Sequence, residues 1–418
     1  MSEKQKINQL PKDWNFFKLS EIGKIISGGT PSTAIPEYWG GNISWISPAD
    51  LTGYKRKEIS KGAKSITVDG LKNSSARLMP KGSVLFSSRA PIGYVAIASN
   101  EMATNQGFKS IIPNDHTDSN YLYYFLKSAK QMAESVASGT TFKEISLSKF
   151  SELNIPLPPL PIQQAIVSKI EELFSELDKG IEQLKTAQQQ LKTYRQAVLK
   201  WAFEGKLTNE NVKDGELPEG WKWVKLNEIG KWTGGGTPSK QNSKFWTSGN
   251  VLWVSPKDMK TNVIHDTQDK ITKESIDQSS AKLIKKDSIL FVVRSGIIRR
   301  TLPIAIAGKE LTTNQDLQSL TLHDANPLFV YWNCIANEQD IRNECAKDGT
   351  TVDNLDVPRL KAYIIVVCSP EEQQQVVQEI ESRFSVADKI EESINQSLQQ
   401  AEALRQSILK RAFEGKLI

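Results

Sequence analysis

Residue types that make and break bonds are too thinly spread in this chain to assemble a catalytic centre. The three histidines, His116, His265 and His323, have no partner at metal-ligand spacing. No carboxylates are grouped as a Mg²⁺ site requires. Chemistry on an amino group of a flipped base needs an Asn/Asp-Pro-Pro-aromatic loop. The only comparable prolines, Pro158-Pro159, stand between Leu157 and Leu160 and read as a helix boundary. Gly28-Gly29-Thr30-Pro31 and Gly234-Gly235-Gly236-Thr237-Pro238 lack the Gly-Lys-Ser/Thr ending of a phosphate loop and read as tight turns. The expectation is no catalytic residue, no metal and no cofactor in this chain.

What remains is a set of basic and amide side chains placed on loops. Lys55-Arg56-Lys57 follows Asp50, Arg89 and Gln106 stand in polar loops beside β-rich runs, and Lys143 follows the polar pair Thr140-Thr141. In the second half Lys257 and Lys260 occupy the place of the first trio, and Arg294, Arg299 and Arg300 flank Gly296. Arginine, lysine, glutamine and asparagine on loops are the groups that read base edges or hold phosphates. Taken singly, each lysine also reads as an ordinary solvated charge. Arg89 and Arg294 fall at matched points, which points to a shared role in phosphate clamping or scaffold. Arg299 and Arg300 have no counterpart in the first half, which suits sequence-specific contact. Trp39, Trp45, Trp246 and Trp253 invite a stacking role, but their regular placement beside Ile46 and Val254 favours core packing.

Charge distribution agrees with an anionic partner. The net charge of +5 is uneven: residues 1–160 carry +6 and residues 371–418 carry −3. No apolar run is long enough for a bilayer, and the start, Met1 to Lys6, has no apolar signal core. Three cysteines, Cys334, Cys345 and Cys368, are an odd and sparse set that reads as reduced thiols. A cytoplasmic protein is expected.

Elements that must position these loops are written twice. WNFFKLSEIGKIISGGTP at 14–31 returns as WKWVKLNEIGKWTGGGTP at 221–238. Tyr38-Trp39, Trp45-Ile46-Ser47-Pro48, Ser83 to Phe86, Thr104-Asn105-Gln106 and Gly139-Thr140-Thr141 recur in order as Phe245-Trp246, Trp253-Val254-Ser255-Pro256, Ser288 to Phe291, Thr313-Asn314-Gln315 and Gly349-Thr350-Thr351. Ala202 to Leu207 returns unchanged at Ala412 to Leu417. A period of half the chain is a duplicated domain, far too long for a solenoid.

Each copy begins with β-rich runs, such as Ser83 to Phe86 and Tyr94 to Ala98, and a helix over Ser119 to Ser135. It ends in a long helix that starts just after Pro161. There Ile170, Leu177, Leu184, Leu191 and Val198 recur every seven residues, and Ile380, Ala387, Ile394, Ala401 and Ile408 keep the same phase. This is a coiled-coil seam. The spacing predicts pieces at 1–160, 161–205, 206–370 and 371–418. A helix of about 40 residues is about 60 Å long at ~1.5 Å per residue. The linker from Gly205 to Gly220 reaches only about 50 Å, so it could not carry the chain back along a parallel partner. The predicted fold is therefore α+β: two similar globular domains separated by two long helices in an antiparallel coiled coil, with internal pseudo-twofold symmetry. Two inverted heads that are similar but not identical match two different DNA half-sites.

In this order the motifs resemble the specificity subunit of type I restriction–modification systems. The likeness is carried by Trp14, Leu19, Glu21-Ile22-Gly23, the Gly-Gly-Thr-Pro-Ser turn, Tyr38-Trp39, Trp45-Ile46-Ser47, Ser88 to Gly93, Ile155 to Leu160 and the twice-written Ala-Phe-Glu-Gly-Lys-Leu. The resemblance implies two target-recognition domains for double-stranded DNA. It also implies two partner modification subunits that methylate adenine with S-adenosylmethionine, and restriction subunits that cleave DNA with ATP and magnesium. Acidic helix faces, with Glu171, Glu172, Glu176 and Glu182 in one and Glu379, Glu381, Glu391 and Glu392 in the other, suit those protein partners. Two positions depart from the family: Val366 to Pro370 replaces a proline-rich run, and Ile162 stands where a Glu commonly precedes Gln. Both lie at the starts of the long helices.

Overall fold

Alternating apolar residues, broken by glycine and proline turns, give the first half ten short strands. The computed structural model describes residues 11–89, 91–139, 143–209, 211–347 and 354–418. Ala90, Thr140-Thr141 and Gly349-Thr350-Thr351, singled out in the sequence, lie outside them, as do Met1 to Lys6. The strands are β1 (Asn15–Lys18), β2 (Gly23–Ser27), β3 (Trp39–Ile46), β4 (Glu58–Ile59), β5 (Lys64–Ile66), β6 (Val84–Phe86), β7 (Val95–Ala98), β8 (Met102–Thr104), β9 (Lys109–Pro113) and β10 (Asn154–Leu157). They form a five-stranded sheet in the order β2-β9-β6-β7-β4, a three-stranded sheet β5-β3-β8 and the ribbon β1-β10. Helices α1 (Val68–Lys72), α2 (Ser119–Ser128), α3 (Lys130–Val136) and α4 (Leu147–Ser151) precede the long α5 (Leu160–Phe203).

Strand for strand, the second half repeats this plan. It contains β11 (Lys222–Lys225), β12 (Gly230–Gly234), β13 (Val251–Val254), β14 (Val263–Ile264), β15 (Asp269–Ile271), α6 (Lys273–Asp277), β16 (Leu283–Ile284), β17 (Ile289–Val292), β18 (Ile304–Ala307), β19 (Leu311–Thr313), β20 (Leu317–Leu322), α7 (Pro327–Ala336), α8 (Glu338–Glu344), α9 (Val357–Ala362), β21 (Ile364–Val367) and the long α10 (Pro370–Phe413). Sheet orders are β12-β20-β17-β18-β14, β15-β13-β19-β16 and β11-β21. Strand β16 is an addition, and it replaces what is a single bridge from Met79 to Met102 in the first half.

Compactness groups residues 1–185 with 395–418 as one unit and residues 186–394 as the other. The four successive pieces expected from the sequence are thus regrouped. Each globular part keeps the start of the helix that follows it and takes the end of the other helix. Within the first unit Ile166, Val167 and Ile170 share a core with Ile408, Leu409, Ala412 and Phe413. Asp178 pairs with Arg405. As one helix advances the other retreats, so the segments are antiparallel. The second unit repeats this, with Val198, Leu199, Ala202 and Phe203 packed on Val376, Val377 and Ile380.

All five seam residues of α10 are buried, and in α5 Ile170 and Val198 are buried while Leu177, Leu184 and Leu191 are half-buried. An arginine crosses each seam, a contact the heptad pattern did not announce. Arg405 lies 4.5 Å over the Phe174 ring, and Arg195 lies 5.4 Å over Phe384 while pairing with Asp388 at 2.7 Å and Glu391 at 2.8 Å.

Two expected boundaries move. Helix α5 begins at Leu160, so Pro161 sits in its first turn, where a missing N–H costs nothing. The helix expected over 119–135 breaks at Ala129. There the Phe125 carbonyl accepts both the Ser128 hydroxyl at 2.7 Å and the Ala129 N–H at 2.9 Å. Burial pushes the Cys334 and Cys368 thiols up to about 12 and Cys345 up to about 11, leaving unreactive thiols.

The joint between each domain and its long helix is a buried glutamine. Gln163 is fully buried; it donates to the Pro158 and His116 carbonyls at 2.8 and 2.9 Å and accepts from the Asp118 N–H at 2.9 Å. Gln373 does the same with the Cys368 carbonyl and the Asn326 N–H, at 2.9 and 2.8 Å. At the far ends Gly205 (φ +75°) and Gly415 (φ +68°) cap the helices in the left-handed conformation, with Lys206 N–H reaching the Trp201 carbonyl and Lys416 N–H that of Arg411, each at 2.8 Å.

Gln163→Leu strands one N–H and two carbonyls. It is expected to lower stability by about 3 kcal/mol in urea unfolding, since a buried unpaired group costs roughly 1–3 kcal/mol. Gly180→Ala, in mid-α5 with open space around it, should raise stability by about 0.5–1 kcal/mol in the same titration.

Candidate nucleic-acid interface

The motifs that recur in both halves converge on one polar frame in each domain. A Cβ at Gly28 would fall 1.8 Å from the Asn105 carbonyl oxygen, and one at Gly235 would fall 1.8 Å from that of Asn314. Only glycine lets the turn lie against the Thr-Asn-Gln loop this closely. The next glycine accepts a bond from a core tryptophan: Trp45 Nε1 donates to Gly29 O at 2.9 Å and Trp253 Nε1 to Gly236 O at 3.0 Å. Edge-to-face partners Trp39 and Trp246 stand 5.1 Å from those rings. The four rings are structural, with their N–H groups spent on backbone carbonyls. The turn threonine then fixes the exposed amide: the Thr30 hydroxyl donates to Gln106 Oε1, and that of Thr237 to Gln315 Oε1. Both glutamines are exposed and held at their amide oxygen.

A second clamp sets the basic loops. Asp50 accepts from Ser47 N–H at 2.8 Å, Ser47 Oγ at 2.7 Å and Ala63 N–H at 2.7 Å. Asp258 accepts from Ser255 N–H and Oγ at 2.8 and 2.9 Å and from Gln268 N–H at 3.0 Å. Each carboxylate ties down both ends of the loop that carries the candidate cations. Lys55 and Arg56 are exposed on the first loop, and Lys257 and Lys260 on the second. Lys57 turns away from them. Its ammonium sits 2.6 Å from Glu171 of α5, so it braces the domain on the helix. Glu391 and Glu172 are likewise engaged, with Arg195 and Lys169, at 2.8 Å each. Glu176, Glu182, Glu381 and Glu392 remain exposed.

Arg89 and Arg294 occupy one site in the two frames. Arg89 forms a backbone bridge to Glu144, and Arg294 forms the equivalent bridge to Asn354. The bond before each arginine is also shared: Ile145 N–H to Ser88 O at 3.0 Å, and Leu355 N–H to Val293 O at 2.9 Å. Arg89 and Lys109 both face Glu144, at 3.6 and 3.8 Å. Burial holds the Lys109 ammonium below the ordinary lysine range, Arg89 adds to that, and Glu144 opposes it. In the second domain the place of Lys109 is taken by Gln318, and Arg294 pairs with Asp316 at 3.8 Å.

Arg299 and Arg300 are exposed at the end of a short 3-10 turn, Gly296–Arg299. Arg342 pins that turn through the Ile298 and Arg299 carbonyls. Lys143 is exposed beside Glu144. The structure therefore gathers Arg89 and Gln106 around one frame, and Arg294 with Gln315 around the other. Arg56, Lys257 and Lys260 are exposed on the clamped loops; Lys55 lines a groove with Glu171 and Asp178 of α5, and Lys57 is withdrawn to the helix. Sequence reasoning passed over Lys109, Glu144, Gln315, Gln318 and Asn354. Gln315 was recoverable, because it is the repeat mate of Gln106. Among the described residues no cluster of His, Cys, Asp or Glu could hold a metal ion, and no helix is long and apolar enough to cross a membrane.

The family described as the type I restriction modification DNA specificity domain matches residues 11–186 and again 218–400. The type I restriction enzyme MjaIX specificity subunit of Methanocaldococcus jannaschii is 38% identical over 68% of this chain and 67% of its own length. The EcoR124I/EcoR124II specificity subunit of Escherichia coli is 33% identical over the same shares. A solved structure concerned with complex assembly and conformational transition of the type I restriction–modification system has the same fold, with a TM-score of 0.74 and 20% identity over 97% of this chain and 99% of that one. The HsdS subunit from Thermoanaerobacter tengcongensis aligns with a TM-score of 0.61 and 18% identity, over 97% and 98%. Two family matches, one on each copy of the repeat, and two relatives above 30% identity agree with the duplicated frame: this chain belongs to the type I restriction–modification DNA specificity subunits.

Proposed function

We propose that each domain reads one half of an asymmetric, bipartite duplex target, and that the chain directs the chemistry of other subunits rather than performing any. The observation that carries this reading is the strand-for-strand repeat. Two frames share glycine turn, tryptophan bond, threonine–glutamine bond, aspartate clamp and arginine, while other side chains around them differ, such as Glu144 against Asn354 and Lys109 against Gln318. A shared frame suits a shared task, placing the domain against a phosphate backbone. Differing side chains suit different base sequences. Loops carrying Lys55, Arg56, Lys257 and Lys260 supply the positive charge expected beside phosphates.

The helices, in this reading, dock two adenine-methylating modification subunits, and exposed Glu176, Glu182, Glu381 and Glu392 suit a protein rather than DNA on that surface. S-adenosylmethionine belongs to those modification subunits, and ATP and magnesium to restriction subunits. The complex works in the cytoplasm.

Mapping adenine methylation in the host genome, with and without this gene, tests the reading. One bipartite motif disappears on deletion; an unchanged methylome overturns the proposal, as would methylation by the purified chain alone. Native mass spectrometry of the saturated assembly should show two modification subunits per chain, and a plateau at one contradicts the docking scheme. Lys55→Ala with Arg56→Ala should weaken binding to all duplexes alike. The slope of log affinity against log salt should then become shallower by about 0.9 for each phosphate that is no longer neutralised, read from gel-shift titrations at several salt concentrations.

A further inference from the structure

The internal repeat places two versions of one site on the same backbone. The same bridge sets a residue beside the matched arginine: Glu144 beside Arg89, and Asn354 beside Arg294. The strand residue next to that bridge is Lys109 in the first domain, paired with Ser27, and Gln318 in the second, paired with Gly234. One site thus holds lysine and glutamate, and its equivalent holds two amides. The bridge, the arginine and the glycine turn are retained, while the carboxylate facing the arginine moves from Glu144 to Asp316. The frame therefore folds with either pair at these two positions.

What the exchange does alter is the surface offered to a ligand. A carboxylate only accepts hydrogen bonds, whereas an amide accepts and donates side by side. The second site also has an unmet demand. Asn354 Oδ1 is buried and has no hydrogen-bond partner among the described residues. It lies on an open groove of about 300 Å³ with Arg294, Gln315, Gln318 and Lys347. An enclosed acceptor left unpaired is costly, and turning the Asn354 amide into the groove, where a ligand's donor can meet it, relieves that cost.

We propose that Glu144 and Asn354 are equivalent specificity-determining residues, each reading a base edge at the corresponding position of its half-site. Glu144 accepts from the exocyclic amino group of a cytosine, and Asn354 makes the two-bond contact that an asparagine amide makes with adenine. Lys109 and Gln318 are positioning residues: Lys109 holds the carboxylate at 3.8 Å, and Gln318 offers an uncharged neighbour to the amide. The inference rests on the reading that the two domains bind the two halves of a duplex target.

Exchanging the pairs tests it in the assembled enzyme. Lys109→Gln with Glu144→Asn transplants the second set into the first domain, and Gln318→Lys with Asn354→Glu does the reverse. Methylated motifs are then mapped by sequencing. In the first variant one base pair of the first half-motif should move from C·G toward A·T by about tenfold or more, with the second half unchanged. The reciprocal variant should alter only the second half. Unchanged discrimination in both variants overturns the proposal, and so does a uniform weakening at every site, which marks a merely structural role. If the unaltered chain directs no bipartite motif, the reading of duplex recognition fails first and this inference falls with it.

Discussion

A helix of 44 residues with a single apolar stripe cannot leave that stripe in water, and it is too long for one small domain to cover. Each long helix here answers that constraint with the other one. The N-terminal part of either helix packs with the C-terminal part of its partner against the same globular core. Ile166, Val167 and Ile170 need Ile408 and Phe413, and Val376 and Ile380 need Val198 and Phe203. Neither domain core is complete with only the residues that precede its own helix, so the duplicated sequence folds as two units that each draw on both copies.

Joints between these parts are polar, and they are repeated with more care than the surfaces. Gln163 and Gln373 each satisfy groups on both the helix start and the loop before α2 or α7. A buried amide that spends both its ends in this way fixes direction as well as distance, which apolar contact alone does not. The arginines across the seam add a stacked cation on Phe174 and Phe384. The departures from family pattern at Ile162 and at Val366 to Pro370 leave these bonds intact, because the pairing uses backbone groups and one glutamine.

The frame behind the candidate interface shows how a fold separates support from recognition. Its bonds run from side chain to backbone and between side chains of residues that recur in both copies: Trp45 and Trp253, Thr30 and Thr237, Asp50 and Asp258. Residues outside those bonds vary. Where Lys109 and Glu144 form a partly buried charged cluster with Arg89, the second copy places Gln318 and Asn354. Burying such a cluster costs desolvation, and in the sister domain the arginine keeps a carboxylate partner, Asp316 in place of Glu144.

Much was legible in the residues alone. The repeat, the heptads and the glycine caps follow from local periodicity and backbone conformation, so they survive without any knowledge of packing. Antiparallel pairing followed from chain reach, because a short linker cannot return along a long rod. Tertiary structure decided the rest. Lys57 is a surface lysine in sequence, yet it pairs with Glu171, 114 positions away. The continuous apolar pattern did not announce the break at Ala129, where the backbone opens to φ −83°, ψ 4°. Lys109 with Glu144, and Gln318 with Asn354, meet only because a sheet edge and a distant loop are folded onto the same arginine. Period and propensity are properties of neighbours in the chain. The partners of a charge are neighbours in space, and only the assembled fold names them.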